Sequence, residues 1–263
     1  MPADLGPSVP VPDAAAPDLG PPRLAELFDR NATTYDRVNT VITFGLDASW
    51  RRWAAGQAVP HAAGALSASP VAASPPRPPR VLDACAGTGL LALALARRGA
   101  HVTAVDAAPR MLAVARDRLE AAGLALRTVV ADLADEAAAG TLGGPFDAVT
   151  LGFGLRYFAD PGAALRLLRG LLAPAGLLVI LEAVRPPQDP LGAAAGLYFL
   201  RVAPRLGAAL AGRAELYDVL TATTRALGSA DEVASHLRRA GFGVGAQRRF
   251  ACGVVAGFVA RPV

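Results

Sequence analysis

The chain of 263 residues contains no lysine; all 26 of its basic residues are arginine. Schiff-base chemistry and the phosphate-binding P-loop both need that primary amine, so both are excluded. Cysteine occurs twice, at Cys85 and Cys252, too few for a disulfide scaffold or a four-cysteine zinc site, and no metal is expected. Isoleucine (Ile42, Ile180) and asparagine (Asn31, Asn39) are equally scarce, and alanine inflates the 53% hydrophobic fraction. A single Ala or Arg is therefore weak information here. The arginines stand in ones and twos around a net charge of only +4, which argues against a nucleic-acid partner. The most apolar stretch, Leu191 to Gly212, is broken by Arg201, Pro204 and Arg205, so no spanning helix is expected. The first residues carry acids and prolines where a secretory signal needs basic and apolar ones, and a cytoplasmic location is expected.

What is present has a clear order. Residues 1–22 are rich in Pro, Ala and Asp without periodicity and read as a disordered tail. Residues 23–263 read as one domain. Its first part, 23–56, places Leu24, Leu27 and Phe28 at helical spacing and predicts a helical cap. The 61–79 stretch is low in complexity and reads as a loop. From Arg80, strands at 81–84, 101–106, 126–132, 146–153 and 176–184 are separated by single helices at 90–98, 109–122 and 161–172, with a glycine-rich loop before the fourth strand. That rhythm predicts an α/β fold with helices on both faces of a largely parallel sheet. Residues 190–226 read as a helical insertion. Ser229 and Glu232 form a capping box for a helix to Ala240. Two closing strands with only a short break between them must pair antiparallel.

The chemical signal lies in VLDACAGTGLLALALA. A strand ends at Asp83, Gly87 and Gly89 follow, and a helix begins. Such a turn brings unsatisfied helix N–H groups close to a ligand. Asp106 ends the second strand, where a carboxylate can accept the hydroxyls of a ribose. Gly87 to Ala92 also fits the dinucleotide fingerprint G-x-G-x-x-[G/A], so a dehydrogenase is one reading. Asp83, four residues before Gly87, would repel a pyrophosphate and attract a cationic cofactor. D-x-x-x-G-x-G followed by an acid after the second strand resembles motifs I and II of the class I methyltransferases.

Four further segments resemble the UbiE/MenG quinone C-methyltransferases. They are FDRNATTYDRVNTVITFGLDASWRR, with Tyr35, Asp36, Asn39, Phe44-Gly45 and Trp50-Arg51-Arg52; FGLR at 153–156; the insertion containing Val202 to Gly207; and ACGVVAGFVA near the end. The likeness runs from about Leu24 to Ala260, interrupted at 61–79. It implies a seven-stranded class I methyltransferase (Rossmann-like) sheet with an antiparallel last strand, S-adenosyl-L-methionine as cofactor, and a prenylated hydroquinone, demethylmenaquinol first, as acceptor. It implies a donor site of Tyr35, Asp83, Gly87, Gly89, Asp106, Met111, Asp132 and Leu133, with Asp132 near the adenine. The chain departs from the family at Ala86 for glycine, Leu90 for aspartate, Tyr157 for asparagine, Val219 for tyrosine and Thr223 for serine. Methyltransfer to another aromatic or lipid-like molecule, and cofactor binding without catalysis, stay open.

Carbon methylation needs electron density on the ring, which loss of a phenolic proton creates. Arg156, with a fixed charge, is the expected oxyanion holder, against an alternative in which it pairs with Asp160 at the surface. Tyr157 is expected either to donate to the quinol or to line its pocket. Tyr35 is expected over the cofactor, and Asp36 either caps a helix or orients the acceptor. Cys85 reads as a small filler, Glu182 has no assigned role, and no histidine is placed as a base. A polyprenyl acceptor implies a transient contact at the inner face of the membrane, through Leu191–Leu200 with Arg201 and Arg205; the other reading of that helix is a buried cap. A homodimer is compatible with the sequence.

Overall fold

The computed structural model describes residues 20–60, 77–212 and 214–263. Most of the expected tail and of the 61–79 loop lies outside them. One seven-stranded sheet organises the rest: β1 (Arg80–Ala84), β2 (His101–Asp106), β3 (Arg127–Val130), β4 (Phe146–Gly152), β5 (Leu172–Ala183), β6 (Phe242–Phe250) and β7 (Val255–Pro262), in the order β3-β2-β1-β4-β5-β7-β6. The first five strands are parallel, while β7 runs antiparallel to both β5 and β6. A turn at Ala251–Gly253 joins β6 to β7, too short for a crossover, so reversal is forced.

The central strands are apolar on both faces because both are covered. Helices α1 (Pro21–Asp29), α2 (Tyr35–Ile42) and α3 (Leu46–Ala58) precede the sheet; α4 (Leu90–Ala96), α5 (Pro109–Ala121), α6 (Glu136–Leu142) and α7 (Pro161–Gly170) alternate with its strands. On one face Trp50 and Ala54 of α3 and Leu91 and Leu95 of α4 bury Val81, Val102 and Ala148. The insertion holds α8 (Pro190–Leu197), α9 (Ala203–Ala211) and α10 (Glu215–Leu227), and α11 (Ala230–Arg239) follows. On the other face Leu165 and Leu168 of α7 and Val233 and Leu237 of α11 bury Leu82, Val149 and Ile180. The capping box of α11 is formed, with Ser229 Oγ accepting from Glu232 N and Glu232 Oε2 from Ser229 N.

Several boundaries differ from expectation. The first helix takes in Pro21 and Pro22, because proline suits a first helical turn. Strand β3 stops at Val130, so Asp132 lies two residues beyond it. The glycine-rich loop before β4 contains α6, capped by Asp135, whose side chain accepts from Ala137 N, and ended by Gly143 at positive φ. Strand β5 starts at Leu172, four residues early. In the insertion α8 runs through a π-helical turn, Tyr198–Val202, into α9. Pro204 cannot donate to the preceding turn, and the Arg205 guanidinium donates to Arg201 O at 2.7 Å across this bend.

The cap and the insertion share a small core of their own. Leu27 and Val38 pack with Leu216, Tyr217 and Val219 of α10. Together they roof the carboxyl ends of the parallel strands, where the strand order reverses between β1 and β4. That is the position at which open α/β sheets bind ligands.

Candidate active site

A cavity of about 680 Å³ opens there. Every expected site residue lines it: Tyr35, Asp83, Gly87, Asp106, Met111, Asp132, Leu133, Arg156 and Tyr157, with Gly89 as the one exception. Gly89 instead sits at φ +74°, where a Cβ would lie 2.6 Å from Ala115 Cβ, so its role is to let α4 start against α5. Among the described residues nothing beyond its own chain neighbours lies within 4 Å of where a Gly87 Cβ would stand, and its N–H donates to Asp106 Oδ2 at 2.8 Å. The Ala108 N–H donates to Asp106 Oδ1 at 2.9 Å. Asp106 is thus aimed by two amides, and each oxygen keeps a lone pair for a hydroxyl. Asp132 Oδ1 accepts from Ala134 N at 2.8 Å.

Asp83 is the most telling group. Its Oδ1 accepts from Thr150 Oγ1 at 2.7 Å, across from it on β4 in the sheet register. Among the described residues its Oδ2 is buried without a hydrogen-bond partner. Burial pushes its carboxyl up to about 7, against the pull of the Thr150 hydrogen bond. A buried carboxylate oxygen left open on a cavity wall suits a cationic ligand, which restores the lost solvation. Sequence reasoning missed Thr150, whose signal is a lone hydroxyl in the apolar run Ala148–Leu151 of β4. Burial, with the nearby Asp106 and Asp83 carboxylates, pushes the Cys85 thiol well above the usual range, which removes the thiolate a nucleophile needs.

Arg156 lies in a 3₁₀ turn, Leu155–Tyr157, beyond the end of β4 rather than on it. It is buried and ion-paired with the fully buried Glu182, Nη1 to Oε1. The surface alternative is excluded: Asp160 caps α7 by accepting from Ala163 N and pairs with Arg166 at 3.6 Å. Glu182, unassigned in the sequence, is therefore the group that fixes the guanidinium. Arg156 Nη2 donates to the Tyr157 hydroxyl at 3.1 Å, so the phenol's own proton is left for another acceptor. Burial raises the Tyr157 pKa, although Arg156 pulls it the other way. Phe28 meets Tyr157 edge-on at 5.3 Å and Tyr35 at 5.7 Å, an aromatic cluster that seals this end.

Asp36 lies in the first turn of α2 without capping it and lines the cavity. It accepts from Thr88 Oγ1 at 2.7 Å and is ion-paired with Arg118 at 2.5 Å. Asp29 accepts from the N–H groups of Arg110 and Met111, at the start of α5. These two acids hold the cap against the glycine loop and α5. Among the described residues no histidine lines the cavity, and no group of three His, Cys, Asp or Glu is gathered as a metal site.

Comparison with known proteins gives a consistent answer. Residues 18–261 match the ubiE/COQ5 methyltransferase family. A demethylmenaquinone methyltransferase of Thermus thermophilus is 39% identical over 220 residues, covering 83% of this chain and 92% of that protein. Among solved structures, a candidate O-methyltransferase from Nostoc punctiforme superposes with a TM-score of 0.60 at 20% identity, over 94% of this chain and 63% of that one. An O-methyltransferase from neocarzinostatin biosynthesis, in complex with S-adenosyl-L-homocysteine and 1,4-dihydroxy-2-naphthoic acid, gives 0.50 at 19% identity over 70% and 49%. The fold of these neighbours is the fold of this chain.

Proposed function

Since the chain belongs to the ubiE/COQ5 methyltransferase family and is an S-adenosylmethionine-dependent methyltransferase, we propose that it methylates a ring carbon of a prenylated hydroquinone, demethylmenaquinol first. The observation that carries this reading is the Arg156–Glu182 pair, buried at the cavity wall with the Tyr157 hydroxyl bound to the guanidinium. Around it the lining is aromatic and aliphatic, including Phe28, Ile42, Phe199, Leu200 and Leu220. Such a wall accepts a flat ring and an apolar tail and excludes the water that would screen the charge.

The donor half fits the cofactor on its own chemistry. Asp83 Oδ2 would hold the cationic methionyl end, Asp106 the ribose hydroxyls, and Asp132 and Leu133 the adenine, with Met111 and Tyr35 lining the same half. The cofactor, when bound, supplies an electrophilic methyl group. The chain's part is to make the acceptor nucleophilic. Tyr157 donates a hydrogen bond to the acceptor oxygen, whose own proton leaves to water, and Arg156, donating to the Tyr157 oxygen, strengthens that bond as negative charge develops. Glu182 is a positioning residue that holds Arg156 in place.

The reading is tested by turnover with methyl-labelled donor against a reduced, short-tailed demethylmenaquinone and a panel of phenols. Label on the quinol ring carbon is the expected result. Turnover of a phenol with none of the quinol would keep the methyltransferase and overturn the acceptor.

A further inference from the structure

The strongest unexplained feature outside the cavity is Phe44. It sits at the tip between α2 and α3 with φ +54° and 73% of its surface exposed. A bulky side chain in the left-handed region is strained, and folding recovers little by leaving its ring in water. Among the described residues its ring contact is a stack on Tyr198 at 5.3 Å, and the Tyr198 hydroxyl donates to Ile42 O at 2.9 Å. The α2–α3 corner and the α8–α9 arm are thereby joined. Ile42 and Thr43, next to Phe44, and Phe199 and Leu200, next to Tyr198, line the cavity, so this outer face borders the acceptor half.

Helix α9 extends the same face. Its inner side packs tightly, since a Cβ at Gly207 would lie 2.3 Å from the Tyr217 ring. Its outer side shows Val202, Leu206 and Leu210, spaced by four and 42%, 45% and 57% exposed. Arg201 and Arg205 form the neighbouring exposed stripe. No acid occurs from Pro190 to Gly212, and Asp36 and Asp47 near the corner are ion-paired with Arg118 and Arg51.

We propose that this face, Phe44 with the outer side of α9, docks on an anionic lipid bilayer, with the apolar side chains in the interface and Arg201 and Arg205 on the headgroups. The proposal rests on the acceptor reading only for its purpose, which is to let a prenyl tail pass from hydrocarbon to cavity. Among the described residues no helix is long and apolar enough to cross a membrane, so the contact is peripheral. A second copy of the chain fits worse: a twofold contact would bury these arginines against the same face, whose 190–212 segment offers them no acid.

The test uses the full chain and substrate-free phosphatidylcholine vesicles, with and without phosphatidylglycerol. Flotation with the anionic vesicles only, weakened by salt, is expected. Arg201→Gln and Arg205→Gln should each lower partitioning roughly fivefold. Phe44→Ser with Leu206→Ser should abolish flotation while S-adenosylhomocysteine affinity and the rate on a water-soluble quinol stay at wild type. Equal partitioning into neutral vesicles, or unchanged flotation of the Phe44/Leu206 variant, overturns the proposal. So does a stable dimer that Leu206→Ser dissociates. Flotation without quinol turnover would leave the docking face standing and remove only the acceptor reading; turnover without flotation would do the reverse.

Discussion

The donor and acceptor halves of the cavity are built by different means. Asp83, Asp106 and Asp132 stand at or just beyond the ends of three strands that are neighbours in the sheet, so strand register alone converges them, and backbone amides aim Asp106. The acceptor half draws side chains from α1, α2, the turn after β4 and the insertion, and depends on their packing against one another. Fixed strand ends give the first half, the proposed donor site, one geometry. Packed helices make the second adjustable to an acceptor. Each half can be damaged without the other, and that separation is open to attack.

The largest effect is expected at Asp83. Asp83→Asn keeps the size of the side chain but removes the charge facing the cationic donor. Affinity for S-adenosylmethionine should fall by about 3–4 kcal/mol, a loss of several hundredfold, as when one partner of a buried charge pair is removed. The unliganded protein should respond in the opposite direction. The carboxyl is held near 7 by burial, so the folded state keeps a proton that the unfolded state releases near its ordinary value of about 4. The penalty on the fold grows as pH rises from about 4 towards 7, and Asn removes it. Unfolding at pH 8 should show the variant at least as stable as wild type; a large loss of stability would mean that Asp83 is a structural acid.

The acceptor half should fail in turnover instead. Arg156→Ala should lower kcat by about 10²–10³, the scale of a lost oxyanion donor, while calorimetry shows donor affinity within twofold. Glu182→Gln leaves the guanidinium buried without its counter-charge, and urea unfolding should show a cost of about 3 kcal/mol. Its kcat should fall with KM nearly unchanged, a split that a purely structural loss does not give. Tyr157→Phe removes only the hydroxyl and should cost tenfold or more in kcat, less than Arg156→Ala. If Arg156→Ala weakens the donor as much as it slows turnover, the two halves are not separate.

The same division decides what could be read from the sequence. The donor half was legible because glycines and acids at strand ends are local patterns: Asp83, Gly87 and Asp106 needed only the order of strand, turn and helix. Arg156 was legible as a charge, but its partner was not. Glu182 lies 26 residues away, and only the parallel pairing of β4 with β5 brings the two together, whereas Asp160 was nearer in sequence. Helix α6 was missed because its glycine-rich flanks concealed a short alanine-rich turn whose capping residue, Asp135, is the only strong signal. The roles of Asp29 and Asp36 as tethers for the cap depend on α1 and α2 meeting α5, which no periodicity encodes.

A smaller effect, in pH dependence, sharpens the electrostatic side of the comparison. On the proposed donor site Asp83 binds in its ionised form, so affinity should rise up to tenfold per pH unit below about 7 and level off above it. Calorimetry at pH 6 in buffers of differing ionisation enthalpy should detect a released proton, and Asp83→Asn should abolish both the slope and the release. An affinity flat from pH 5.5 to 8 would mean that another group meets the positive charge.

The smallest effect concerns strain, which the two halves use differently. Cys85 and Phe44 are both non-glycine residues at positive φ, +53° and +54°. Cys85 is held by its place between β1 and the loop, with Gly154 pressed against its side chain. Phe44 has a stacked ring on one side and solvent on the other. Asparagine tolerates the left-handed region far better than phenylalanine, so Phe44→Asn should relieve about 1–2 kcal/mol of backbone strain and lose about 0.5–1 kcal/mol of ring stacking. Urea unfolding should therefore show a midpoint equal to or slightly above wild type at unchanged slope. A residue whose removal leaves the fold no weaker is not there for folding. A fall of more than about 1 kcal/mol would instead make the ring a packing element of the corner, and the strain at Phe44 would then serve the cap rather than a surface beyond it.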